Sequence, residues 1–187
     1  MSVFADLHVH TTNSDGEMEL SEVAEAAREA GVSVVAVTDH DRLHPELPTP
    51  VTAFEGVTVV HGIELRVEPA PEDYASETDG ERVDLLGYGV EQTDDLAAEL
   101  DRIQADRKER GREIIERVED RLGVDLDLDA REGLGRPHVA RAVVDHPDTD
   151  YDAVGEVFDD LIGNDGPCYV ARDVTSFERG VDLLSEA

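Results

Sequence analysis

Apolar and polar positions change their period halfway along the chain. In the first half, four short runs rich in β-branched residues read as strands: "VFADLHVHT", "VSVVAVTDH" from Val32, "VTVVHGIELRV" from Val57 and "RVDLLGYGV" from Arg82. Between the first two lies "SEVAEAAREAG", which predicts a helix capped by Ser21 and ended by Gly31. Near-continuous apolar strands separated by a helix are strands buried on both faces. They predict a parallel α/β sheet or barrel. Residues 68–81 hold two prolines and a run of acids and read as a solvated loop.

From Thr93 the spacing becomes helical. Leu96, Leu100, Ile103, Ile114, Val118 and Leu122 recur near helical intervals up to Gly123, with Gly111 as an interruption expected to mark a bend. Further helical pieces are "HVARAVV" from His138, "DAVGEVFDDLI" and "TSFERGVDLLSEA". After Val90 the one strand-like stretch is "CYVA" at Cys168. The pattern divides the chain into a strand-bearing part, 1–92, a helical insertion, 93–165, and a return to the sheet, 166–187.

Composition narrows the setting. Acidic residues number 46 against 16 basic ones, for a formal net charge of -30, and Lys108 is the only lysine. Physiological salt, with a Debye length of about 8 Å, screens such self-repulsion only partly, whereas molar salt shortens it to about 3 Å. A carboxylate-rich, lysine-poor surface predicts a halophilic protein in a salt-rich cytoplasm. No apolar run approaches the ~20 residues of a membrane span, so no membrane partner is expected. The negative charge also argues against an extended nucleic-acid face. Cys168, the single cysteine, reads as a buried small residue.

The candidate chemistry lies at the strand ends. Side chains two apart on a strand share a face, so Asp6, His8 and His10 project together. The second run ends in Asp39 and His40, and the third contains His61 and Glu64. In parallel β/α folds the carboxyl ends of the strands converge on one crevice. Mixed imidazole and carboxylate without a usable thiol suits Zn, Mn or Fe. More than four candidate ligands point to a bridged cluster, with Glu64 suited to bridge. Ions about 3.5 to 4 Å apart can activate hydroxide and stabilise both oxygens of a displacement. Phosphoester hydrolysis is the natural use.

"DLHVHTTNSDG", "VTDHD", "GIE" and "GRPHVARAVV" together resemble the PHP (polymerase and histidinol phosphatase) superfamily, most closely its phosphoesterases acting on nucleoside 3',5'-bisphosphates and RNA 5' ends. The resemblance runs from Val3 to about Ala187. It implies the N-terminal portion of a PHP-type distorted β/α barrel holding two to three divalent ions, with Mg also admissible. His8, His10 and Glu64 would bind the first ion, and Glu64 would bridge to the second. Asp15 and His40 would bind the third. Asp84 stands where relatives often carry a histidine ligand, and would favour harder ions such as Mn or Mg. Asp6 and Asp39 would orient imidazoles. His138 would protonate the leaving group, and Arg136 and Arg141 would hold phosphate.

The implied activity is hydrolysis of a small phosphorylated, nucleotide-like substrate or a short RNA end. His44 and His146 read as surface residues, and His61 as a core or supporting histidine. The later motifs of the superfamily, a His-Pro strand end and an Asp-x-His, do not occur, and "DHP" at Asp145 follows its helix too early to serve. That absence leaves a catalytically impaired metal- or nucleotide-binding remnant as the alternative. An incomplete barrel exposes a sheet edge, which predicts self-association.

Overall fold

A computed structural model describes residues 4–68 and 83–187. Most of the expected acidic loop, and Arg82 with it, lies outside the described residues. The chain divides into two compact units, one formed by residues up to Arg102 together with Val174–Ala187, the other by Ile103–Asp173.

The first unit is built on a five-stranded sheet. Its strands are β1 (Ala5–Val9), β2 (Val34–Val37), β3 (Val51–Phe54), β4 (Val57–Val67) and β5 (Val83–Tyr88), in the order β1-β2-β4-β3 with β5 also on β4. β1, β2 and β4 are parallel, as the apolar runs predict. β3 and β5 run antiparallel to β4, so the sheet is mixed rather than all-parallel. β3 was not expected. It forms a hairpin with β4 across Glu55 and Gly56, both at positive φ (50° and 88°). This two-residue turn matches the twist of the flanking strands.

Helix α1 (Leu20–Ala30) connects β1 to β2. Ser21 lies inside its first turn instead of capping it. The carboxylate of Glu22 accepts from the backbone N–H of Glu19 at 2.8 Å and so closes the helix start. At the other end Gly31 takes the left-handed conformation (φ 72°), with Gly31 N donating to Arg28 O and Val32 N to Ala27 O. That arrangement satisfies two terminal carbonyls. Leu20, Val23, Ala24 and Ala27 bury the inner face of α1 on Val35, Val37, Val57 and Val59 of the sheet. β4, central in this sheet, is buried along most of its length, with Ile63 and Leu65 fully covered.

Helix α2 (Asp94–Leu122) passes through Gly111 without a break. A Cβ on Gly111 would lie 2.6 Å from Leu134 Cδ2, so the glycine permits close packing there. α3 (Arg136–Asp145), the short α4 (Val154–Val157) and a π-helical turn, Phe158–Ile162, complete the second unit. Its core joins Ile114, Val118, Leu134, Val139, Val143, Leu161 and Ile162. "CYVA" is not a strand. Cys168 N donates to Leu161 O and Tyr169 N to Gly166 O, so the segment follows turns against the helical core. The thiol of Cys168 is buried, as expected, and burial pushes its pKa up. α5 (Phe177–Glu186), in the first unit, starts at Ser176, whose side chain accepts from Arg179 N at 3.3 Å. Among the described residues no helix is long and apolar enough to cross a membrane.

Candidate metal centre

Two strand ends and the interior of a third strand deliver the site. β1 supplies His8, its exit supplies His10, the residues after β2 supply His40, and β4 supplies Glu64. The pairing of β2 with β4 carries on past the strand end as a bridge between His40 and Glu64, locking their register. Glu64 Oε2 then lies 3.0 Å from His8 Nε2, 2.8 Å from His10 Nε2 and 3.2 Å from His40 Nδ1. On the far side of these rings, Asp15 Oδ1 is 3.0 Å from His10 Nδ1 and Asp15 Oδ2 is 3.6 Å from His40 Nε2. The His10 and His40 rings meet edge to face with centroids 4.5 Å apart. Glu64 is 6% exposed, whereas His8 is open to solvent, so the cluster has a closed floor and an accessible rim.

The loop that brings Asp15 into place is held by Asp39. Its buried carboxylate accepts from Thr11 N (2.7 Å), Thr11 Oγ1 (2.8 Å), Ser14 Oγ (2.7 Å) and Asn13 Nδ2 (3.2 Å). A carboxylate with four donors can stay ionised in the interior. Arg42 Nη1 adds a bond to Asn13 O at 2.9 Å. Asp41, also fully buried, accepts from Arg66 N at 2.9 Å and ties the turn after His40 to β4.

The charges in the cluster are strongly coupled. Hydrogen bonds to Asp15 and then to Glu64 raise the His10 pKa to about 10. Burial works to raise that of Glu64, but hydrogen bonds from His10 and His8 prevail and hold it at about 2. Burial lowers the His40 pKa despite the same two carboxylates, with the His10 charge adding to the effect.

Among the described residues, two groups have ligand atoms within 4.8 Å of one another, His8 with His10 and Glu64, and His10 with Asp15 and His40. Three imidazole nitrogens pointing at one carboxylate oxygen exceed what a single hydrogen-bond acceptor orders well. At bonds of about 2.1 Å, tetrahedral ligands stand about 3.4 Å apart, close to the separations seen here. The donor set and its spacing fit divalent cations such as Zn, Mn or Fe.

Of the residues the sequence singled out, His8, His10, Asp15, His40 and Glu64 come together. Asp84 does not. Its register partner on β4 is Arg66, whose guanidinium engages both carboxylate oxygens, Nη2 at 2.6 Å from Oδ2. Asp39 organises the 11–14 loop instead of orienting an imidazole, and Asp6 accepts from the backbone of His8 at 3.3 Å. His61 is buried as expected, and its Nε2 accepts from His44 N at 3.1 Å; burial, then His44, lowers its pKa. His44, expected on the surface, is 6% exposed. His146 is half-buried and its Nδ1 accepts from Asp148 N.

Arg136, His138 and Arg141 belong to α3 in the second unit. His138 Nδ1 accepts from Gly135 N at 3.1 Å, closing the helix start. Arg136 donates to Ile162 O (2.9 Å) and Asn164 Oδ1 (3.2 Å) and lies 5.5 Å and 5.6 Å from the ring centroids of Phe158 and Tyr169. Arg141 is exposed.

Known proteins share this arrangement of sequence and fold. A 5'-3' exoribonuclease of Haemophilus influenzae is 25% identical over 97% of the chain and 65% of its own length. A phosphoribosyl 1,2-cyclic phosphate 1,2-diphosphodiesterase of Eggerthella lenta is 39% identical over 46% of the chain and 31% of its own length. The solved structure of an amidohydrolase from Chromobacterium violaceum, with bound sulfate and no metal, superposes with a TM-score of 0.77 at 25% identity, over 98% of this chain and 63% of that one. The chain thus spans less than two thirds of the length of these relatives. The PHP domain itself is matched over residues 6–132, a span that contains all five clustered side chains, and the chain therefore belongs to the PHP family.

Proposed function

We propose that the chain is a metal-dependent phosphoesterase that hydrolyses a phosphomonoester of a nucleotide-like substrate or a short RNA end. One observation carries this: three imidazoles and a second carboxylate converge around Glu64 at ligand spacing. The exoribonuclease and the diphosphodiesterase bear names that describe cleavage of phosphate esters. His8, His10 and Glu64 would hold one ion, and Asp15 and His40 another. Bound there, divalent ions would supply an activated water and neutralise charge on the phosphoryl oxygens. Mn and Zn are the ions that best suit these donors.

The residues have separate tasks. Asp39 keeps the 11–14 loop closed so that Asp15 meets His10 and His40. Arg136 and Arg141 would hold phosphate through charge-assisted hydrogen bonds. His138 uses Nδ1 as an acceptor from Gly135, so the proton of the neutral ring sits on Nε2. That is the nitrogen from which a leaving-group oxygen would be protonated.

The test is phosphate release in molar KCl with added Mn, from p-nitrophenyl phosphate and from adenosine 3',5'-bisphosphate. Turnover that falls about 100-fold or more in His8→Ala and Glu64→Gln supports the proposal. Tight metal binding with no turnover on either substrate refutes it, and favours a metal-binding remnant.

A further inference from the structure

The sheet face that carries Glu64 extends beyond the metal centre. β5 pairs antiparallel with β4 in the register Gly62 with Tyr88, Glu64 with Leu86 and Arg66 with Asp84. Residues directly opposite in such a pair project from the same side, and side chains alternate along each strand. Glu64 and the ion pair of Arg66 with Asp84 therefore share their face with Leu86 and Tyr88. The opposite face belongs to α5: a Cβ on Gly180 of that helix would lie 2.5 Å from Val67 Cγ1, 3.1 Å from Leu85 Cδ1 and 3.6 Å from Leu65 Cδ2.

Leu86 and Tyr88 are 37% and 47% exposed. A single exposed apolar side chain calls for no explanation. These two, however, are neighbours on one face and adjoin the cluster. Opposite residues of an antiparallel pair have Cβ atoms about 5 Å apart, and the next position on the same face lies about 7 Å further along the strand. Leu86 thus borders Glu64, and Tyr88 stands one step beyond. No side chain on β4 opposes the tyrosine, because its register partner is Gly62. A Cβ on Gly62 would meet Gly87 O at 2.7 Å and Thr38 Cγ2 at 2.9 Å, so packing keeps that position bare. Among the described residues β5 pairs with β4 alone.

We propose that Tyr88, with Leu86, forms a platform for the nucleobase of the substrate whose phosphate meets the metal centre. The proposal rests on the phosphoesterase reading and adds the source of its selectivity. A phosphate is held by charge, whereas a base offers a neutral π-face, which a tyrosine ring and an apolar neighbour match. One ribose spans the gap between the two contacts. Every base has a π-face, so the platform prefers a nucleotide to a phosphate ester without an aromatic group and reads no particular sequence. Neither side chain adds negative charge beside the phosphate.

The test compares adenosine 3',5'-bisphosphate with the same bisphosphate carrying hydrogen in place of the base, in molar KCl with Mn. In the wild type KM should be about tenfold lower for the compound with the base. Tyr88→Ala should bring that ratio close to one, with the change in KM rather than kcat. Tyr88→Phe should preserve the ratio, since the ring makes the contact. Val181→Ala, at an exposed position on α5 across the sheet, should also preserve it. A second readout needs no turnover. The chain has no tryptophan, so Tyr88→Trp introduces a single indole. In the Zn-loaded protein its fluorescence should be quenched by a non-hydrolysable phosphonate analogue of the adenosine compound, and not by the analogue without a base. Equal KM values in the wild type, an unchanged ratio in Tyr88→Ala or quenching independent of the base overturns the platform. So does a dimer on size-exclusion chromatography that Tyr88→Ala dissociates while the ratio holds, because the face then belongs to a second copy. If the wild type turns over neither compound, the phosphoesterase reading fails, and quenching alone decides the base contact.

Discussion

At the scale of single residues, Asp39 is the side chain on which the centre most depends without belonging to it. Four donors from Thr11, Asn13 and Ser14 end on its carboxylate. Removing a buried charged acceptor leaves those donors unsatisfied, at a cost of about 1–3 kcal/mol or more. Asp39→Ala should therefore lose about 3 kcal/mol in chemical denaturation, and should bind metal more weakly because Asp15 loosens with the loop. His10 makes a different prediction. Its metal-free pKa is raised to about 10, so its stabilising contribution is complete below about 6.5 and is lost as pH rises to 10; that of Glu64, depressed from 4.5 to about 2, is complete above 4.5 and is lost as pH falls to 2. The stability gap between wild type and His10→Ala, both metal-free, should shrink between pH 7 and 10. Metal must displace that proton, so Mn affinity by calorimetry should rise about tenfold per pH unit between 7 and 9. The alternation of Asp6, His8 and His10 and the strand-end position of His40 were legible because period and topology decide them, whereas Glu64 stands inside β4, which runs on to Val67. The partners of Asp39 were not, since they come from a loop more than 20 residues away, and neither was the burial of His44 against His61.

At the scale of elements, the helices and the parallel strands follow from apolar period, while the antiparallel ones do not. β3 is marked by the Glu55-Gly56 turn between "VTAF" and "VTVV", a two-residue hairpin signal hidden because its second strand reads as a longer apolar run. β5 has the composition of a buried strand, and nothing in it encodes direction. The glycines show where elements touch. A Cβ on Gly62 of β4 would meet Gly87 O at 2.7 Å and Thr38 Cγ2 at 2.9 Å. Because a carbonyl in a paired strand cannot turn aside, Gly62→Ala should cost about 3 kcal/mol. Gly111→Ala meets the tip of Leu134 instead, and alanine regains about 1 kcal/mol of helix propensity. Its net loss should be about 1 kcal/mol. Equal losses in the two variants, measured by denaturant unfolding, would show that the sheet yields as readily as a side chain.

At the scale of the whole molecule, the net charge of -30 sets two salt effects against each other. Salt weakens surface pairs such as Arg28 with Glu55 and Arg112 with Glu109 and Glu116, but pairs this exposed to solvent contribute little to stability. Salt also screens the repulsion among carboxylates, which grows with every unpaired acid in the chain. Raising KCl from 0.1 M to 1 M shortens the Debye length from about 10 Å to about 3 Å, below the spacing of most surface charges. The second effect should win, and the thermal midpoint should climb steadily with KCl. Salt also strengthens apolar burial in some cases, and a charge-neutralising variant separates the two causes. Glu25, Glu29 and Asp101 are exposed, and changing them to Gln, Gln and Asn takes the net charge from -30 to -27. If repulsion governs, that variant is the more stable in 0.1 M KCl, and its midpoint rises less on the way to 1 M. Parallel salt curves for the two proteins, read by calorimetry, would assign the stabilisation to apolar burial and leave the acidic surface without a role in folding.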